Sequence, residues 1–161
     1  MRANQVFGEL LREAREYYQK VGQVRCPALK ADVIFNSDGF HHLRYNSSRV
    51  NRTKSEQRNK LAYIPQAVDI LKITSTIQEH RETMEPLGTP DSKGFRPMIR
   101  VGYFGFWSVM NLKTKIRVKC IVKYVENSGK YSFWSVMPFW TEKIINGQTV
   151  RYVASRNIAD E

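Results

Sequence analysis

The chain has 161 residues, with 26 Lys and Arg against 15 Asp and Glu for a net charge of +11, and it is 42% hydrophobic and 25% charged. Those proportions exclude wholesale disorder, and the length allows one domain, residues 1–161, to bury a real core. No run approaches the ~20 apolar residues of a membrane span, and the opening Met-Arg-Ala-Asn-Gln-Val-Phe-Gly-Glu lacks the apolar centre of a secretion signal. A cytoplasmic protein, native or delivered there, is expected, with no membrane partner. Its excess positive charge fits a polyanion such as nucleic acid.

Residues 4–21 place Val6, Phe7, Leu10, Leu11, Ala14, Tyr17, Tyr18 and Val21 at helical spacing, with Asn4 as cap and Gly22 as stop. Cys26-Pro27 is a break, and Asp32 to Phe35 reads as a short strand. Asn36-Ser37-Asp38-Gly39 is turn chemistry, from which His41, His42 and Leu43 emerge as a strand or as the first turn of a helix. If extended, alternation buries His41 with Leu43 and leaves His42 accessible; a helix removes that inference. Imidazole exchanges protons near neutral pH, so these two residues are candidate acid/base groups.

A run of cations follows: Arg44, Arg49, Arg52, Lys54 and Arg58. Thr53-Lys54-Ser55-Glu56 has capping-box spacing and opens a helix carrying Leu61 and Ile64 inward. Pro65 either kinks that helix or begins a second one bearing Val68 and Leu71. The cations near the helix start, where backbone N–H groups also attract anions, are candidate phosphate ligands. The helical half covers about 1–72, and Ile73 to Ile77 reads as a strand. Residues 79–97, rich in Gly and Pro, read as a loop that leaves His80 at the surface.

The antiparallel sheet is expected over about 98–153. Ile116 to Tyr124 alternates between apolar and polar residues, which sets Arg117, Lys119 and Lys123 on one face as a basic stripe. Glu126-Asn127-Ser128-Gly129 and Asn146-Gly147 are hairpin turns. Phe106-Trp107-Ser108-Val109-Met110 recurs as Phe133-Trp134-Ser135-Val136-Met137. The phenylalanines of this echo are expected to pack, and the tryptophans are candidate platforms for base stacking. Cys26 and Cys120 form no zinc-type spacing; Cys120 is expected to be buried and inert, and no metal or cofactor is expected. The fold class is α+β, N-terminal helices packed on a twisted antiparallel sheet of about four to six strands.

Val33-Ile34-Phe35, Gly39-Phe40-His41-His42-Leu43, Leu61-x-x-Ile64-Pro65 and the strand pair Ile116–Val125 and Tyr131–Pro138 give residues 30–138 a resemblance. The chain resembles the barnase–EndoU–colicin–RelE group of metal-independent ribonucleases, and most closely the phage-associated nuclease domains of that group. The resemblance implies that His42, followed by Leu43, is catalytic, and that Ser135 supplies a hydroxyl from a late strand. Where such domains commonly carry a second histidine, Tyr45, Arg49 and Arg52 stand here.

The leading expectation is therefore an endoribonuclease that needs no metal and is toxin-like or phage-associated. His42 or His41 would act as acid/base, Arg44 with Arg52 or Lys54 would stabilise the phosphorane, and Ser135 or Tyr131 would position the phosphate. RNA would be the partner, tRNA or another structured RNA included, with an acidic inhibitor or immunity protein as a second. The alternatives are a non-catalytic nucleic-acid-binding domain, using Arg117, Lys119, Lys123 and a stacking Trp107 or Trp134, and a structural domain whose basic face meets an acidic protein.

Overall fold

The computed structural model describes residues 2–111 and 114–153. Four helices, α1 (Arg2–Val21), α2 (Ser37–Arg44), α3 (Lys54–Ala62) and α4 (Ile64–Ile73), accompany seven strands. The strands are β1 (Gln23–Cys26), β2 (Ala31–Ile34), β3 (Glu79–Pro86), β4 (Met98–Asn111), β5 (Lys115–Val125), β6 (Lys130–Ile145) and β7 (Gln148–Val153). They form one sheet in the order β1-β2-β6-β5-β4-β3, with β7 also paired to β6. The α+β expectation holds. The sheet is larger than the expected four to six strands, and mixed, because β2 runs parallel to β6 at Val33–Tyr131 and Ile34–Ser132.

Several local rules act as the residues dictate. Thr53 Oγ1 accepts from Glu56 N at 3.2 Å while Thr53 N donates to Glu56 Oε2 at 3.0 Å, a complete capping box. Pro65 stands in the first turn of α4, where its missing N–H costs nothing. Asn146 and Gly147, at φ 50° and 77°, make the tight turn between β6 and β7. Gly22 ends α1 at φ 64°, but Asn4 lies inside the helix and does not cap it.

Two other readings are corrected. Residues 79–86 form an edge strand, not a loop; charged residues on both faces hide its alternation, and such charges suit an exposed edge. Residues 74–77 form no strand, since Ile73 ends α4 and stands exposed.

The main core lies between the helices and one face of the sheet. Tyr18, Phe35, Phe40 and Phe133 are its aromatic centre, with Tyr18 edge-on to the other three at 5.2–5.7 Å. Leu43, Leu61, Ile64, Leu71, Phe106, Val118, Cys120 and Val136 complete it. Cys120 is wholly buried, as expected, which raises its thiol pKa.

Tyr18 OH donates to Asn36 O at 2.6 Å, and Asn36 caps α2 by accepting from Gly39 N at 3.0 Å. A Cβ on Gly39 would stand 2.2 Å from Phe133 O, so only glycine lets α2 lie this close to β6. That contact carries α2 across the stretch of β6 between its pairings with β2 and β7.

Candidate nucleic-acid interface and acid/base site

Helical geometry decides the fate of the two histidines. Because Ser37–Arg44 is a helix, His42 and Leu43 turn inward and His41 faces solvent, stacked on Tyr45 at 4.3 Å. The expectation that alternation would leave His42 accessible is corrected: His42 is 3% exposed.

His42 lies at the edge of the sheet rather than in the apolar centre. Its ring stacks on Trp134 at 4.0 Å with planes 19° apart. Trp134 is an extra residue in β6, because Phe133 pairs with Val122 and Ser135 with Ile121. Such a bulge re-aims a side chain. Here it sets the indole between α2 and the sheet face away from the helices, where Tyr103 lies 6.2 Å away.

Arg52 reaches the same point because residues 46–51 fold back on α2. Tyr45 bridges to Asn51, and Arg52 N donates to Arg44 O at 2.9 Å. The Arg52 side chain then donates through Nε to His42 O at 3.0 Å and lies with Nη2 3.1 Å from His42 Nε2. A guanidinium has no acceptor, so Nε2 must be the acceptor and the ring proton sits on Nδ1.

Gln57 buttresses this pair, donating to Arg52 O at 2.8 Å while its Oε1 accepts from Arg44 Nε at 3.3 Å. Lys60, one helical turn further along α3 and 3% exposed, donates to the fully buried Ser135 Oγ at 2.8 Å. Lys123 stands 4.2 Å from the centroid of Trp134 and 3.7 Å from Glu85, which also accepts from Tyr103 OH at 2.7 Å.

Burial first, and then the charges of Arg52, Lys60 and Lys123, drive the His42 pKa down from 6.5 to about 2. The imidazole is therefore neutral at every physiological pH. Arg52, Lys60 and Lys123 thus stand around one neutral ring, with the Ser135 hydroxyl and the Glu85 carboxylate among their partners. A cleft of about 350 Å³ opens beside Lys123 and Trp134, walled also by Asn36, Asp38, Lys130 and Ser132, with His42, Arg52 and Lys60 set behind its lining.

The structure thus brings together His42, Arg52, Ser135, Lys123 and Trp134, which the sequence singled out. It keeps the others apart. The Arg44 side chain meets the cluster through Gln57, and Arg49 is exposed in the 46–51 loop. Lys54 and Arg58 turn to α1, lying over the Phe7 ring, and Lys54 also donates to Asn4 Oδ1. Tyr131 packs against Phe104 and Tyr124 on the helix side, so it cannot position a phosphate beside His42. Lys119 is buried with Glu79 at 2.6 Å, and Arg117 lies over Trp107 at 4.6 Å, so the basic stripe is set among rings and carboxylates rather than solvated.

Lys60, Gln57, Tyr103 and Glu85 were missed. Gln57, Lys60 and Leu61 share the buried face of α3, so a lysine beside the inward Leu61 was the available signal. Glu85 offered none, since charged residues on both faces of its strand hide the alternation.

Among the described residues, no three His, Cys, Asp or Glu side chains converge where a metal ion could sit, and no helix is long and apolar enough to cross a membrane. No family model matches the chain, and no curated protein or solved structure matches it.

Proposed function

We propose that the chain is an endoribonuclease that binds an RNA strand on the sheet face turned away from the helices and cuts it without a metal ion. The observation that carries this reading is the convergence of His42, Arg52, Lys60, Lys123 and Ser135, from α2, the following loop, α3, β5 and β6, on one edge of that face. Cleavage needs a base for the 2′-hydroxyl and positive charge for the phosphorane, and this cluster holds both kinds of group. In this reading the O2′–P bond forms and the P–O5′ bond breaks. The 2′-proton passes to His42 Nε2, and the 5′-oxygen takes a proton from water in the cleft.

The resting site cannot do this directly, because Arg52 occupies Nε2 and the imidazole is a feeble base. A phosphodiester entering beside Lys123 would draw Arg52 off the ring and offset the positive charges that depress the His42 pKa. That lifts the part of the depression due to charge, while burial, its larger cause, lifts only where the departure of Arg52 opens the ring to the cleft. The resemblance to the barnase–EndoU–colicin–RelE group supports the same assignment of His42 and Ser135.

The burial of His42 favours a second reading, in which the face binds RNA and does not cut it. The two separate on turnover. Single-stranded RNA incubated with the protein in EDTA should yield fragments ending in 2′,3′-cyclic phosphate, and His42→Ala should slow this by about 10²–10⁴-fold. Salt-sensitive binding with no fragments would leave the second reading. Cleavage indifferent to His42→Ala would reject this acid/base assignment.

A further inference from the structure

The FWSVM echo gains a meaning once the register is known. Phe106 pairs with Cys120 and Phe133 with Val122, so the two copies flank β5 from either side. Both phenylalanines are fully buried beneath the helices, and both tryptophans meet a cation of β5: Lys123 at 4.2 Å from Trp134, Arg117 at 4.6 Å from Trp107. The repeated element is a tryptophan paired with a cation, set down twice on one face.

The pair at Trp107 has the richer surroundings. Phe139, the extra residue of a second bulge in β6, stacks on Trp107 at 5.9 Å and 11°. The Arg117 guanidinium lies 5.5 Å from the Phe139 ring. Arg151 from β7 lies 4.2 Å over Trp140, and it is near enough, with burial, to depress the pKa of Arg117. Among the described residues, Arg117 Nε is buried with no hydrogen-bond acceptor. Glu142 takes Arg151 Nη2 at 2.7 Å, but a guanidinium has five donors and one carboxylate does not exhaust them. Two like charges forced together, one with an unanswered donor, are the arrangement an anion stabilises.

We infer that Trp107, Arg117, Phe139, Trp140 and Arg151 form a second subsite for single-stranded RNA, taking a phosphate between the guanidiniums and a base against the half-buried rings of Trp107 and Phe139, with the buried Trp140 beneath Arg151. Arg117 and Lys123 lie about 20 Å apart along β5 at ~3.3 Å per residue, so one extended strand several nucleotides long engages both ends. The inference rests on the RNA-binding reading above and adds a footprint to it: the protein grips RNA remote from the bond it cuts.

The experiment is fluorescence anisotropy with single-stranded RNAs of about two and about eight nucleotides, chosen to span one subsite or both. Wild type should bind the longer RNA more tightly, and Arg151→Ala should weaken that binding about tenfold, lowering the ratio of the two affinities toward one. Arg151 is more than half exposed, so its loss spares the core; Trp107→Leu, checked for an unchanged melting transition, should act in the same direction. A ratio that neither substitution alters overturns the second subsite while the RNA reading stands. No binding of either RNA by wild type overturns both.

Discussion

The two faces of the sheet solve the same packing problem in opposite ways. Along β5, Ile116, Val118, Cys120 and Val122 are buried beneath the helices in an apolar core, which burial itself stabilises. The alternate residues Arg117, Lys119 and Lys123 have no helix above them, yet they do not simply extend into water. Rings of Trp107, Phe139, Tyr103 and Trp134 and the carboxylates of Glu79 and Glu85 surround them. A solvated lysine stripe would stabilise the fold as well at less desolvation cost. The first face buries the main apolar core; the second buries a smaller one, Val101, Tyr103 and Ile121, and sets its cations among rings and carboxylates.

That contrast can be broken most forcefully on the apolar side. Phe133→Ala should lower the unfolding free energy by about 3–5 kcal/mol, read by urea denaturation, because it opens the aromatic centre around Tyr18 and Phe35. Gly39→Ala should cost about 1–3 kcal/mol by the same measurement, since its methyl meets the Phe133 carbonyl. It should also move α2, and with it His42, away from Trp134, so tryptophan fluorescence should change in the folded protein.

The pH dependence sharpens the comparison at its boundary. The unfolded chain protonates His42 near 6.5 and the folded chain only at about 2. Between those values the unfolded state binds the extra proton, so stability is complete above about 6.5 and falls as the solution is acidified, by about 1.4 kcal/mol per pH unit. His42→Phe should remove this part of the slope in urea titrations at pH 5 and 7. A slope equal to wild type would show that His42 is not the group responsible. On the charged face, Lys119→Met should change stability by less than about 1 kcal/mol, because Glu79 stays partly solvated while the lysine stem is replaced by apolar volume.

How much of this was legible in the sequence follows from how local each feature is. The capping box at Thr53, the Asn146-Gly147 turn and the alternation of β5 are set by neighbours in the chain, and each stands as read. His42 is different: its inward direction depends on whether four residues after a turn coil or extend, and Asn36 capping Gly39 N decides that. The placement of Trp134 depends on a bulge, which exists only relative to the partner strand. Lys60 meets Ser135 across the whole fold, and no local pattern reports that. Lys54 and Arg58 show the reverse error, since adjacency in sequence to the histidines put them on a different helix surface, over Phe7.

The central claim is that the desolvated cations beside His42 hold RNA phosphates, and the salt dependence of RNA binding tests it most directly. If Arg52, Lys60 and Lys123 each neutralise a phosphate, the affinity for single-stranded RNA should fall with a log–log slope of about −2, and Lys123→Ala should make that slope shallower by about 0.7. Binding that is indifferent to salt, or a slope that Lys123→Ala leaves unchanged, would contradict the account.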